Sequence, residues 1–200
     1  MEYFAPKTSS PALYVALLSI LTSLTTVATI IIAVPFPTTT GFLNFGDTLV
    51  LLSGLILGPF GGFIAGGCGS AMGDIVLGYL HFAPITLVVK GCEGMIMGLI
   101  SRRARSAKWL TIWDFAGLFV ASSVMLTGYF LAEIPLFGFG AALAELLTTN
   151  IVQVTVGSII AATVGPVVRR FIRGYLWEPV LEESCQERRE TTHPSHSRIL

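Results

Sequence analysis

DTLVLLSGLILGPFGGFIAGGCGSAMGDIVLGY, residues 47–79, carries two Asp and no basic side chain. A soluble domain needs charge on its surface every few residues, whereas a bilayer-embedded one must exclude it from lipid-facing positions. The stretch divides at "GPFGG", which reads as a tight turn, into two short spans, 47–60 and 62–79. Working outward, no Lys or Arg occurs anywhere between Lys7 and Lys90. Of the 200 residues, 53% are hydrophobic and only 12% charged, and the mean hydropathy is +0.77. An integral membrane protein is the class these values indicate.

A spanning helix needs about 20 apolar residues to cross about 30 Å of hydrocarbon. Four further stretches, 12–34, 84–101, 110–133 and 142–169, complete an expected all-α bundle of six transmembrane helices. The connections test that count, because cytoplasmic loops collect Lys and Arg. Lys7, the loop "SRRARSAK" (Arg102, Arg103, Arg105, Lys108) and the end "RRFIR" (Arg169, Arg170, Arg173) are separated by even numbers of spans. All three therefore fall on one side, and both termini are expected in the cytoplasm of a multi-pass cell-membrane protein. The opposite connections, "PFPTTTGFLNFG", "GYLHFAP" and "EIPLFGFG", hold no Lys or Arg and make the expected outer face.

The first apolar run is too long for a cleaved signal and is expected to stay as a helix. Residues 1–175 form the expected six-helix membrane domain. Residues 176–200 turn polar and charged, and are expected to form a disordered cytoplasmic tail. Cys68 and Cys92 lie within spans and Cys185 in the tail, a spacing of neither a disulfide framework nor a zinc site. Small residues recur at intervals of four (Gly54, Gly58, Gly62, Gly66, Ser70), which lets helix backbones approach closely.

Catalytic signatures are absent: the sequence has no GxxxxGK[ST] loop, HExxH or GxSxG, and His81, His193 and His196 are too scattered for a metal site. Neither cofactor, metal, catalysis nor nucleic-acid binding is expected. Two other classes stay open: an intramembrane enzyme using Glu93 and Asp74 as acid and base, or a structural membrane assembly protein using its glycine faces.

The run from Gly41 to Ile100, with "GYFLAEIPLFGFGAALAELLTTNIVQ" after it, resembles the substrate-binding S components of energy-coupling factor (ECF) vitamin transporters, in the riboflavin-transporter-related branch. Gly46 and Asp47, the glycine run from Gly58 to Asp74, Ala83 through Gly94, Gly128 through Glu133, and Asn150 with Gln153 carry the resemblance, which covers residues 10–170. It implies a six-helix capture protein with an outward pocket, lidded by the loop between the first two spans. It also implies a transmembrane coupling (T) subunit and two ATPases as partners, with Ala12 and Ala16 matching the AxxxA docking pattern of helix one. The last span reads "LLTTNIVQ" where the family pattern places Pro-Gly before the Asn, so the kink that dipeptide would give is not expected here.

Polar groups near the outer ends of the spans are candidates to meet a water-soluble vitamin or precursor: Asn44 in the lid loop, Tyr79 and His81, Tyr129 and Glu133, and Glu145, Asn150 and Gln153. Riboflavin, hydroxymethylpyrimidine and a pyridoxine-like ring are the expected ligands. Tyr79 and His81 also suit an interface, Asn44 and Asp47 also suit helix caps, and Asn150 and Gln153 also suit bonds between helices. Lys90 and Glu93, three apart in the fourth span, share a helical face. They are either a structural ion pair or a site in which Lys90 meets the substrate and Glu93 orients it. In both cases that face must be shielded from lipid.

Overall fold

The computed structural model describes residues 11–31, 33–35, 42–102 and 109–176. Helix α1 (Pro11–Ile31) leads to a minimal ladder in which β1 (Val34–Pro35) pairs antiparallel with β2 (Phe42–Leu43). Helix α2 (Gly46–Phe63), a π-helical turn (Ile64–Cys68) and α3 (Gly69–Leu77) follow without interruption. Next come α4 (Ala83–Ser101) and α5 (Ile112–Phe137). The described chain closes with α6 (Phe139–Glu145), a second π-helical turn (Leu146–Asn150) and α7 (Ile151–Leu176).

Five helical runs are long and apolar enough to cross a membrane: α1, Gly46–Leu77, α4, α5 and Phe139–Ile172. They form a multi-pass membrane bundle. The second run is not straight. Gly58 sits at φ 82°, ψ −169° ahead of Pro59, a backbone state that only glycine adopts freely. A methyl group built on Gly62 would fall 2.7 Å from the Cα of Gly54, and one on Gly66 would fall 2.8 Å from Val50 Cγ1. Both pairs are centred on Gly58, so the arms to either side lie against each other as an antiparallel hairpin. The first arm, residues 46–57, rises only about 18 Å at 1.5 Å per residue.

Close backbone approach organises the centre. Gly54, Gly62 and Gly94 meet where the hairpin crosses α4, and Gly98 packs on the turn at Gly58 and Pro59. Around this crossing lies an apolar core of Leu51, Leu55, Leu57, Met97, Leu118, Ala121 and Ala161. The outside is apolar as well, with Val15, Val27, Phe119, Leu131, Ile159 and Phe171 all exposed, as a lipid-facing surface requires.

Several boundaries differ from those read in the sequence. "EIPLFGFG" is not an extended loop: α5 continues through Pro135 to Phe137, and the single residue Gly138, at φ 87°, joins it to α6. The stretch without Pro-Gly, "LLTTNIVQ", is distorted all the same, because Leu146–Asn150 winds as a π turn. Lys7, Arg103, Arg105, Lys108 and the expected tail beyond Leu176 lie outside the described residues.

Candidate functional site

At the end of the bundle that holds the β1–β2 ladder, a cavity is lined by side chains from every long run. Thr29 comes from α1, Phe42 and Asn44 from the ladder and its exit, Ser70 and Asp74 from α3, Phe82, Thr86 and Lys90 from α4 and its entry, Tyr129 and Glu133 from α5, and Glu145, Asn150 and Gln153 from the last run. Its volume is about 30 Å³, room for about two water molecules.

The π turn explains how the last run contributes three of these groups. Residues five apart on an α-helix point about 140° away from each other. The wider turn, with its i→i+5 bonds, brings Glu145 and Asn150 back onto one face, and Gln153 follows three residues later. Asn44 lines the cavity beside this face. Its side-chain oxygen accepts from the N–H of Gly46 at 2.8 Å, and its own N–H donates to Gln153 Oε1 at 2.8 Å. The exit of β2 is thereby tied both to the start of α2 and to α7.

Lys90 is 1% exposed, and Asp47 and Glu93 are fully buried. The Lys90 ammonium pairs with Asp47, in the first turn of α2, and lies 3.6 Å from Glu93. It also stands 5.5 Å above the ring of Tyr129, whose hydroxyl donates to Thr86 Oγ1 at 3.0 Å. Lys90 faces the cavity, while Asp47 and Glu93 balance it from behind.

The remaining polar lining is not so well matched. Glu133 and Glu145 interact with one another, and the Asn150 amide lies beside Glu133. Even so, Ser70 Oγ, Asp74 Oδ2, Glu133 Oε2, Glu145 Oε2 and Asn150 Nδ2 have no hydrogen-bond partner among the described residues. Each belongs to a side chain at most 4% exposed. An unmet buried polar group costs about 1–3 kcal/mol, and more if charged. Five such groups around one space mark it as a place built for something polar.

Of the residues singled out in the sequence, Asn44, Lys90, Tyr129, Glu133, Glu145, Asn150 and Gln153 line the cavity. Glu93 stands behind Lys90. Tyr79 stacks on Phe42 (4.8 Å between centroids) and so buttresses the wall without joining it, while His81 is exposed with its ring 4.8 Å from that of Phe82. Thr29, Phe42, Ser70, Phe82 and Thr86 also line the cavity, and nothing in their residue types sets them apart from ordinary span residues. Asp74 lines it too, yet Glu93 does not, so the acid–base pair of an intramembrane enzyme is not assembled in one space. Among the described residues no group of three or more His, Cys, Asp or Glu is placed to hold a metal.

An apolar bundle with a polar cavity at its end is the architecture that the sequence resemblance implies, and comparison with known proteins decides the matter. The family of the ECF-type riboflavin transporter, S component, matches residues 12–170. The chain belongs to this family. As an S component it is part of a transporter rather than an enzyme. It is 36% identical to an "uncharacterized protein in gap 3'region" of Pyrococcus woesei over 157 residues, covering 78% of this chain and 99% of that one. It is 30% identical to the thiamine precursor transporter HmpT of Lactococcus lactis subsp. cremoris over 155 residues, 77% of this chain and 86% of that one. The family description and the name of the HmpT relative thus point to two different ligands.

Proposed function

We propose that this S component captures a water-soluble vitamin or vitamin precursor in the cavity at the ladder end and delivers it with a coupling subunit and two ATPases. The observation that carries the reading is the set of five unpartnered buried polar atoms facing one space inside an otherwise apolar bundle. Asn44, Lys90, Tyr129, Glu133, Glu145, Asn150 and Gln153 are the substrate-binding side chains, joined by Asp74 and Thr86. The HmpT relationship supports a thiamine precursor, and the family description supports riboflavin.

At about 30 Å³ the cavity is narrow, smaller than a vitamin-sized ring needs. A ring-sized ligand enters when the walls separate, and the contact to open is the bond between Asn44 and Gln153, which holds the ladder exit against α7. In this reading each arm of the Gly58 hairpin counts as a span, giving six. Residues 1–175 are the membrane domain and the polar segment from 176 is its tail. The ladder end faces outward and both termini are cytoplasmic, a reading supported by Arg102 at the end of α4 and Arg169 and Arg170 late in α7, all away from the ladder.

Ala12 and Ala16, both exposed on α1, form the docking face for the coupling subunit. Reconstitution in proteoliposomes with an ECF coupling subunit and ATPases tests the reading. ATP-dependent uptake of the captured compound is expected, and A12W/A16W should abolish uptake while leaving binding intact. ATP-independent uptake, or loss of binding along with transport, would contradict it.

A further inference from the structure

Helices α5 and α7 are fastened to each other by polar contacts at two levels. Asp114 and Arg169 join them at the end away from the ladder, and the hydroxyls of Ser122 and Ser158 meet at 3.1 Å further in. Alongside these fastenings the two helices leave a second cavity, an open furrow of about 440 Å³. Phe115, Phe119 and Leu126 of α5 and Ile151, Ile159 and Ala162 of α7 give it apolar walls, with the Ser122–Ser158 pair between them. None of these residues lines the cavity at the ladder end.

Phe115, Phe119 and Ile159 are exposed, so in a membrane the furrow opens onto hydrocarbon. A void without partner atoms on one side forfeits the dispersion contacts of its lining, so something apolar fills it. Its dimensions say what. Phe115 to Leu126 and Ile151 to Ala162 each advance about 16 Å at 1.5 Å per residue, half of about 30 Å of hydrocarbon. About 440 Å³ spread over that length gives a mean cross-section of about 27 Å², a third of that of a helix 10 Å across. One extended hydrocarbon chain fits such a furrow; the helix of a second copy or of a partner protein does not.

The end of the furrow near Asp114 carries the features of a membrane–water interface. Trp109 and Trp113 are exposed there, at the entry and first turn of α5. Arg170, also exposed, stands eleven residues and three turns beyond Ile159, hence on the same side of α7 as that wall. Among the described residues Asp114 is the one acid at this end, and Arg169 already neutralises it. Positive charge is therefore left over at the level of the lipid headgroups, where basic side chains beside a groove between helices attract anionic lipid.

We infer that the furrow between α5 and α7 is a binding site for one anionic membrane phospholipid, a hydrocarbon chain lying along Phe119 and Ile159 and the phosphate group held by Arg170. In the orientation proposed above, this lipid belongs to the cytoplasmic leaflet. Its chain fills the space that the side chains of α5 and α7 leave between their two polar fastenings. Capture at the ladder end uses none of these side chains, so ligand binding and lipid binding are read separately.

Native mass spectrometry of the purified full chain in mild detergent tests this, with palmitoyl-oleoyl phosphatidylglycerol and the phosphatidylcholine of the same chains as probes. One phosphatidylglycerol should be retained at least about fivefold more tightly than phosphatidylcholine, the weight of one basic residue beside an anionic headgroup. R170Q should bring the two lipids level. S123F combined with T155F places two rings in the furrow and should weaken retention of both lipids at least about tenfold. V88F, equal bulk at an exposed site of α4, should weaken neither. Melting curves establish that the variants fold, and the ranking of the two lipids on the wild type stands without them. Equal retention of both lipids by the wild type would mean annular lipid only and would overturn the inference, as would no retention at all. So would a preference that survives R170Q, a folded S123F/T155F variant that holds lipid as the wild type does, or a loss in V88F as large as in that variant.

Discussion

The Lys90 ammonium pairs with Asp47, on a different helix, as well as with Glu93 one turn away on its own. That ion pair ties α4 to the first turn of α2 and explains why a charged residue is tolerated mid-span. It also sets an expectation for stability. K90M alone strands two buried carboxylates and should lower stability by about 3–5 kcal/mol, whereas K90M combined with D47N and E93Q should recover most of the loss. Thermal unfolding in detergent reads this directly. A triple variant no more stable than K90M would show that the three groups do not act as a unit.

The crossing of the hairpin over α4 depends on the absence of side chains. A methyl group on Gly62 would stand 2.7 Å from both the Gly54 Cα and the Gly94 carbonyl carbon, where backbone cannot yield as a side-chain tip can. G62A should therefore cost about 1–3 kcal/mol or more through forced backbone shifts. G140A, at a position with open space around the added carbon, is the control and should change stability little. Equal melting temperatures for the two variants would refute the close crossing.

The other end of the bundle carries its own fastening. Asp114, fully buried at the start of α5, accepts from Arg169 of α7 through both terminal guanidinium nitrogens, at 3.1 and 2.5 Å. It also accepts from Ser101 Oγ at 2.8 Å and from the N–H and hydroxyl of Thr111 at 2.9 and 3.0 Å. Asp114 and Glu133 are nineteen residues apart on α5, about 28 Å along the axis. D114N should thus destabilise by about 3–5 kcal/mol and leave ligand affinity at the cavity unchanged. A shift in affinity with no loss of stability would be the contrary result.

Orientation is open to chemical labelling. In a background lacking Cys68, Cys92 and Cys185, a thiol introduced by H81C should react with a membrane-impermeant reagent applied to whole cells, since His81 is exposed at the ladder end. A thiol introduced by R105C should react only after the membrane is permeabilised. The reverse pattern would place the cavity on the cytoplasmic side.

Much of this was legible in the sequence, for identifiable reasons. Exclusion of charge is a strong signal, so the apolar runs emerged with their approximate limits, and Gly58–Pro59 announced its turn. Polar groups stranded in apolar runs pointed inward, which is why Glu133, Glu145, Asn150 and Gln153 were found. What escaped depends on tertiary packing. Lys90 does pair with the acid on its own helix as its spacing indicated, but its second partner, Asp47, is brought to it only by the fold. Phe42, Phe82, Thr29 and Thr86 look like filler until the phase of each helix is known. The π turns shift that phase without a residue type to mark them, and so Glu145 and Asn150 could not be assigned to one face from spacing alone.

The most direct measurement of the central claim is made on the protein as it leaves its own membrane. Purified in mild detergent, denatured and extracted, it should release close to one equivalent of a single water-soluble ring compound, identified by mass spectrometry. A variant in which Asn150 and Gln153 are both replaced by leucine should release none while still folding. Equal recovery of the compound from that variant, or only lipid from the wild type, would contradict the assignment of this cavity as a capture site.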